Sequence, residues 1–189
     1  MDDLYLLGDT IAALQDGQTI LYPTDTVWGI GCDATQDEAV ERVLAIKERP
    51  RGQGLIVLVS SVEMLKRYVA ELHPRLQTVL DLHARPLTMI YPEVTGLSPA
   101  VAARDGSVAI RIAKDRYVSA LLERLGRPVV STSANKAGAE TPTHFGDIPS
   151  DILSSVDHVV KYRQRDRTAG RPSVIARWND NNELEPVRE

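Results

Sequence analysis

Apolar residues at Leu4, Leu7, Ile11 and Leu14 recur at the spacing of one helical face, and Gly17 offers a stop. The pattern then changes period. Thr19-Ile20-Leu21-Tyr22 is a short apolar run ended by Pro23, which reads as a buried strand. Residues 24–33 are small and polar, with Gly29 and Gly31 as hinges, and predict a loop. Val40, Val43, Leu44 and Ile46 restore a helical stripe over 37–47, which Pro50 and Gly52 bring to an end. Leu55-Ile56-Val57-Leu58-Val59 is a continuous apolar run of strand length, expected to be covered on both faces.

Further along, helical patterns occupy 62–69, 74–82 and 115–125, the last closed by Gly126. Strand patterns occupy 87–91, 108–112, 128–131, 158–162 and 173–178. This interleaving predicts an α/β (α+β) fold built on a twisted mixed sheet flanked by helices. No repeat, low-complexity tract or linker interrupts it, so residues 1–189 are expected to form a single domain. Apolar residues at 43% and charged residues at 25% are ordinary for a globular chain. The formal net charge of -4 supplies no global attraction to nucleic acid. Cys32 is the only cysteine, which excludes an intramolecular disulfide and reads as a buried, inert thiol. The start lacks a signal-peptide pattern, and no apolar run approaches the ~20 residues a membrane span needs, so a cytoplasmic protein without a membrane partner is expected.

The common phosphate loops, zinc spacings and the nucleophile elbow are all absent from the sequence. Three clusters remain. Lys47-Glu48-Arg49-Pro50 is either a solvated helix end or a sharp turn presenting two cations suited to a polyphosphate. Ser131-Thr132-Ser133-Ala134-Asn135 follows the apolar Val129-Val130. It is either a polar turn or a ligand site where a strand ends. In Ser107-Val108-Ala109-Ile110-Arg111-Ile112, alternation sets Arg111 with Ser107 and Ala109 on one face. An arginine in so apolar a strand needs an anionic partner, either a structural carboxylate or a ligand.

Taken together these segments resemble the YrdC/TsaC family, the threonylcarbamoyl-AMP synthases of tRNA modification. The resemblance is carried by Leu21-Tyr22-Pro23-Thr24-Asp25-Thr26-Val27-Trp28-Gly29-Ile30-Gly31-Cys32-Asp33-Ala34 and Ile46-Lys47-Glu48-Arg49-Pro50. It continues through Pro86-Leu87-Thr88, Val108-Ala109-Ile110-Arg111 and Ser131-Thr132-Ser133-Ala134-Asn135, covering roughly 4–178. It implies a YrdC-like fold with a concave ligand-binding surface. It also implies a nucleotidyltransferase that forms threonylcarbamoyl-AMP and pyrophosphate from L-threonine, bicarbonate or CO2, and ATP. A partner transferase would then pass the threonylcarbamoyl group to tRNA.

By the same resemblance Lys47, Arg49, Ser133 and Asn135 are the catalytic, phosphate-holding residues. Gln53, Ser107 and Thr141 are further ATP-binding positions. Thr26, Arg111, Ser131 and Ser173 form the threonine pocket. Mg2+ is expected to arrive with ATP, held by phosphates and water rather than by a protein metal motif. Three departures stand out. Leu58 stands where some relatives have His, Arg85 where a glycine is usual, and Ser173-Val174-Ile175 lacks one hydroxyl of the family motif. Two alternatives remain at this stage. One is an RNA-binding or ribosome-assembly module with weak direct tRNA binding. The other is carbamoyl-adenylate chemistry of the hydrogenase-maturation type.

Overall fold

A computed structural model describes residues 7–188. The first amphipathic stripe forms α1 (Leu7–Gln15) and buries Leu7, Ala13 and Leu14; Leu4 lies outside the described residues. It leads into β1 (Ile20–Tyr22), whose three residues are all buried.

Residues 24–33 are not wholly loop. Gly29–Gly31 form β2, paired antiparallel with β1 on one side and with β6 (Val129–Ser133) on the other. Glycine weakens a strand locally, so propensity misses it. Here the close approach of neighbours demands it, because a Cβ on Gly31 would run into the Val130 carbonyl and the Tyr22 ring.

The chain continues through α2 (Asp37–Ile46) and β3 (Ile56–Val59), with Val57, Leu58 and Val59 fully buried as expected. Helix α3 (Val62–Leu65) is shorter than the 62–69 pattern suggests, and turns carry the chain on to Val69. Then come α4 (Leu76–Leu82), β4 (Leu87–Tyr91), β5 (Val108–Ile112) and α5 (Arg116–Leu125). Helix α5 is started by Asp115, whose carboxylate accepts the Tyr117 and Val118 amides at 2.9 and 3.0 Å, and Gly126 closes it. Tyr117, Val118, Leu121, Leu122 and Leu125 form its buried stripe.

Strand β6 runs through Ser133, so Thr132 and Ser133 extend the strand past the 128–131 predicted. Helix α6 (Ser150–Ser155) and strand β9 (Leu184–Arg188) have no counterpart in the sequence reading. Strand β7 is only His158–Val159, and β8 is Val174–Trp178.

Among the described residues nine strands form one sheet in the order β7-β1-β2-β6-β3-β5-β4-β8-β9. It is mixed: β3–β5 and β4–β8 pair in parallel, β3–β6 and β4–β5 antiparallel. Its centre is therefore built from segments far apart in sequence, which is what brings the polar clusters together. Among the described residues no helix is long and apolar enough to cross a membrane.

Candidate functional site

A cavity of about 280 Å³ lies against the middle of the sheet, where β2, β6, β3 and β5 contribute Gly29, Ser131, Ile56 and Ala109. Arg49, Gln53, Ser107, Ser133 and Thr141 line it. So do Thr26, Arg111, Ser131 and Ser173. Nine of the eleven residues singled out from the sequence thus reach one space.

Lys47 and Asn135 do not line it. Lys47 is 2% exposed; its Nζ donates to the carbonyls of Ser133 at 2.7 Å and Asn135 at 2.6 Å. The Asn135 amide donates to the carbonyls of Lys136 and Ala139, and the Ala137 amide donates to the Lys47 carbonyl. The two side chains brace the turn after β6 from behind. The paired presentation of two cations by Pro50 does not occur. The chain reverses one step earlier, at Glu48 with φ 51°, which turns Lys47 inward and leaves Arg49 on the cavity wall. Burial, and then the charge of Arg49, lower the Lys47 ammonium to a pKa of about 8.

Arg49 donates from Nη2 to the Gln53 carbonyl at 2.7 Å, while its Nε is buried without a hydrogen bond. Burial holds its pKa below the usual arginine range, and Arg188 adds repulsion. Arg188 is a wall residue that the sequence reading missed. It ends β9, and its Nη2 donates to the Ser173 carbonyl at 3.1 Å. Burial lowers it too, followed by the charge of Arg111. The signal that could have found it is the Asp180-Asn181-Asn182 stretch after the 173–178 strand, a hairpin turn leading to one more strand.

Arg111 sits in β5 between Leu58 of β3 and Thr88 of β4, only 3% exposed. The structural carboxylate that one reading of it expected is Asp25. Its Nη2 is 3.0 Å from Asp25 Oδ1 in an ion pair, yet the side chain also lines the cavity. Nε and Nη2 are buried without a well-aligned hydrogen bond. Burial lowers its pKa, with Asp25 working in the opposite direction. Nearby hydroxyls are already ordered: Thr26 Oγ1 lies 2.9 Å from Thr24 Oγ1, and Ser173 Oγ lies 2.8 Å from Thr88 Oγ1. Ser107 Oγ donates to Asp105 at 2.7 Å. Leu58 is fully buried in the core, so at this departure an apolar side chain packs into the sheet.

A second chamber of about 330 Å³ adjoins the first, sharing Thr26, Val27 and Pro172. The strap 163–172 forms much of its wall. Gly170 lies so close over the Thr26 carbonyl that a Cβ would collide with it. Arg163 ties the strap down to Asp115 at 3.3 Å and the Thr24 carbonyl at 3.2 Å, and pairs within the strap with Asp166 at 2.8 Å. Arg85 lines this chamber rather than the first, and donates to the Pro172 carbonyl at 3.3 Å. Among the described residues no group of three or more His, Cys, Asp or Glu side chains is placed to hold a metal ion.

A site with three arginines, of which Arg111 is buried and Arg188 exposed, one lysine behind it and many hydroxyls can neutralise a polyanion and orient small polar groups. It offers no nucleophile-and-base pair. The family model Sua5_yciO_yrdC, described as telomere recombination, matches residues 12–189. The threonylcarbamoyl-AMP synthase of Xanthomonas euvesicatoria is 41% identical over 164 residues, covering 85% of this chain and 87% of that one. E. coli YciO superposes with a TM-score of 0.81 at 21% identity, over 98% of this chain and 91% of its own. Sua5 of P. abyssi, solved with L-threonine, gives 0.80 at 22% identity. It matches 94% of this chain, which spans 52% of that longer protein.

Proposed function

The chain belongs to the Sua5/YciO/YrdC family, and on that premise we propose that it is a threonylcarbamoyl-AMP synthase, joining L-threonine, bicarbonate and ATP with release of pyrophosphate. The observation that carries this reading is the meeting in one cavity of Arg49, Ser133 and Arg188 with Thr26, Arg111 and Ser173. The naming of relatives up to 41% identical supports it.

The chemistry asks little of a protein nucleophile. The neutral amine of threonine adds to CO2, formed when bicarbonate takes up a proton and loses water, and gives a carbamate with release of a proton. A carbamate oxygen then attacks the α-phosphorus as the bond to pyrophosphate breaks. Such a displacement needs alignment and charge neutralisation. Arg49 and Arg188 offset the triphosphate, with Ser133 donating to it. Arg111 holds the threonine carboxylate through its free N–H groups, and the hydroxyls of Thr26, Ser131 and Ser173 surround the amino acid. Gln53, Ser107 and Thr141 complete the nucleotide side. Lys47 and Asn135 keep the Ser133–Asn135 turn in shape, and Lys47 adds its charge from behind. Mg2+ enters as part of the nucleotide, with ligands from phosphate and water.

In this reading the product passes to a threonylcarbamoyl transferase acting on tRNA, and both enzymes work in the cytoplasm. Pyrophosphate release from ATP, measured with threonine or bicarbonate omitted in turn, tests it. Release should require both. Release indifferent to either omission overturns the reading, and salt-sensitive tRNA binding without adenylation would favour an RNA-binding module instead.

A further inference from the structure

The three cavity arginines are not equivalent. Among the described residues Arg49 and Arg188 form no ion pair with a carboxylate; backbone carbonyls of Gln53 and Ser173 hold them. Arg111 carries a carboxylate of its own. Asp25 Oδ1 lies 3.0 Å from its Nη2, and Asp25 Oδ2 accepts the Lys114 amide at 3.1 Å. That second bond ties the acid to the residue two beyond β5 and orients the carboxylate toward the guanidinium it faces.

The cavity is therefore polarised. Arg49 presents an uncompensated positive charge to whatever enters, and Arg188, close enough to both Arg49 and Arg111 for the charges to repel, presents a second. At Arg111 positive charge is present but already matched by Asp25. Asp25 lies behind Arg111, on the wall of the adjoining chamber, so a polyphosphate brought to Arg111 would meet its negative charge past a buried guanidinium, where repulsion is weakly screened. A single carboxylate loses less there. Arg111 still has N–H groups without a well-aligned partner, and an amino group carried on the same ligand balances the remaining charge.

We propose that Asp25 is a positioning residue that acts through Arg111, reserving that end of the cavity for a monocarboxylate amino acid and turning polyphosphate away from it. The proposal rests on the reading of this cavity as an ATP and threonine site. It assigns selectivity between the two ends to one acidic side chain rather than to cavity shape.

The test follows threonylcarbamoyl-AMP formation by chromatography, with imidodiphosphate as a pyrophosphate mimic and inhibitor. Wild-type protein that makes no threonine-dependent product overturns the functional reading itself. In active wild-type protein, imidodiphosphate should compete with ATP and not with threonine; competition with threonine there overturns the Asp25 proposal, and this arm needs no variant to fold. In Asp25→Asn the KM for L-threonine should rise roughly tenfold or more while the KM for ATP stays within about twofold. Imidodiphosphate should then compete with threonine as well, and Asp25→Glu should restore most of the selectivity. A purely structural role predicts lower thermal stability and lower kcat with both KM values and the inhibition pattern unchanged, and that outcome also overturns the proposal.

Discussion

Lys47 Nζ donates a 2.7 Å hydrogen bond to the main-chain carbonyl of Ser133, the last residue of β6 and part of the cavity wall. A helix end and a strand end 86 positions apart are thereby locked together at the point where phosphate would sit. Replacing Lys47 with Met keeps the length and removes the donor. The Ser133 and Asn135 carbonyls would lose their partner, at a cost of about 1–3 kcal/mol in unfolding free energy. Chemical denaturation checks this, and kcat/KM for ATP should fall at least about tenfold in parallel.

The same lysine predicts a pH dependence. Its pKa of about 8 in the free protein lies below the ordinary 10.5, because burial and Arg49 disfavour the charge. Bound phosphates favour the charged form and raise it again. Above about pH 8 the free protein has lost the proton that the nucleotide complex keeps, so affinity must decline as pH rises, by up to about tenfold per unit. Calorimetric titration of a non-hydrolysable ATP analogue from pH 7 to 9 would show the decline. Lys47→Arg, charged throughout this range, should flatten it. For folding the sign is opposite: the unfolded chain holds more protons between about pH 8 and 10.5, so this group's contribution to stability increases with pH across that window.

Arg188 should matter to ATP although it lies in the last described strand. Arg188→Ala removes a cation from the wall and the donor to the Ser173 carbonyl. The KM for ATP should rise about tenfold or more, as expected for loss of a charge-assisted contact. Steady-state kinetics with ATP varied at saturating threonine would measure it.

Asp115 does two jobs that substitution can separate. Asp115→Ala loses the cap of α5 and should cost about 0.5–2 kcal/mol of stability. Asp115→Asn keeps a capping oxygen but drops the ion pair to Arg163, so it should be nearly as stable as the wild type. Its effect should appear instead as a higher KM for threonine, because Arg163 anchors the strap against the Thr24 carbonyl.

Gly170→Ala probes the strap directly. The added methyl cannot share space with the Thr26 carbonyl, so the strap must lift beside Pro172 and Ser173. Threonine affinity should drop while ATP affinity stays close to that of the wild type, a split that binding titrations of the two ligands would resolve.

The sequence was most informative where its patterning was regular. Leu55 through Val59 and the stripe of α5 were placed by periodicity alone, because burial there is uniform along a face. It was least informative where long-range packing overrules local preference. Strand β2 exists because Tyr22 and Val130 leave room only for glycine at Gly31, a constraint set by residues far along the chain. The site divides in the same way. Residue type told that Arg111 needs an anion, but only the fold shows that Asp25 supplies it. That Lys47 points inward depends on the positive φ of Glu48, which no pattern of polarity announces. Arg188 was missed because it follows a turn in a strand that is mostly exposed, with little apolar signal to mark it.

The sheet order has a consequence for how the protein comes to be active. Wall residues run from Thr26 to Arg188, and neighbouring strands at the centre come from opposite halves of the chain. Nearly every contact that shapes the cavity closes a long loop, which makes for slow folding with few early native pairings. During synthesis the strand bearing Arg188 emerges after all other wall segments. A nascent chain would thus present its hydroxyls and Arg111 before its full complement of positive charge, and nucleotide capture becomes a late event, coupled to completion of the sheet.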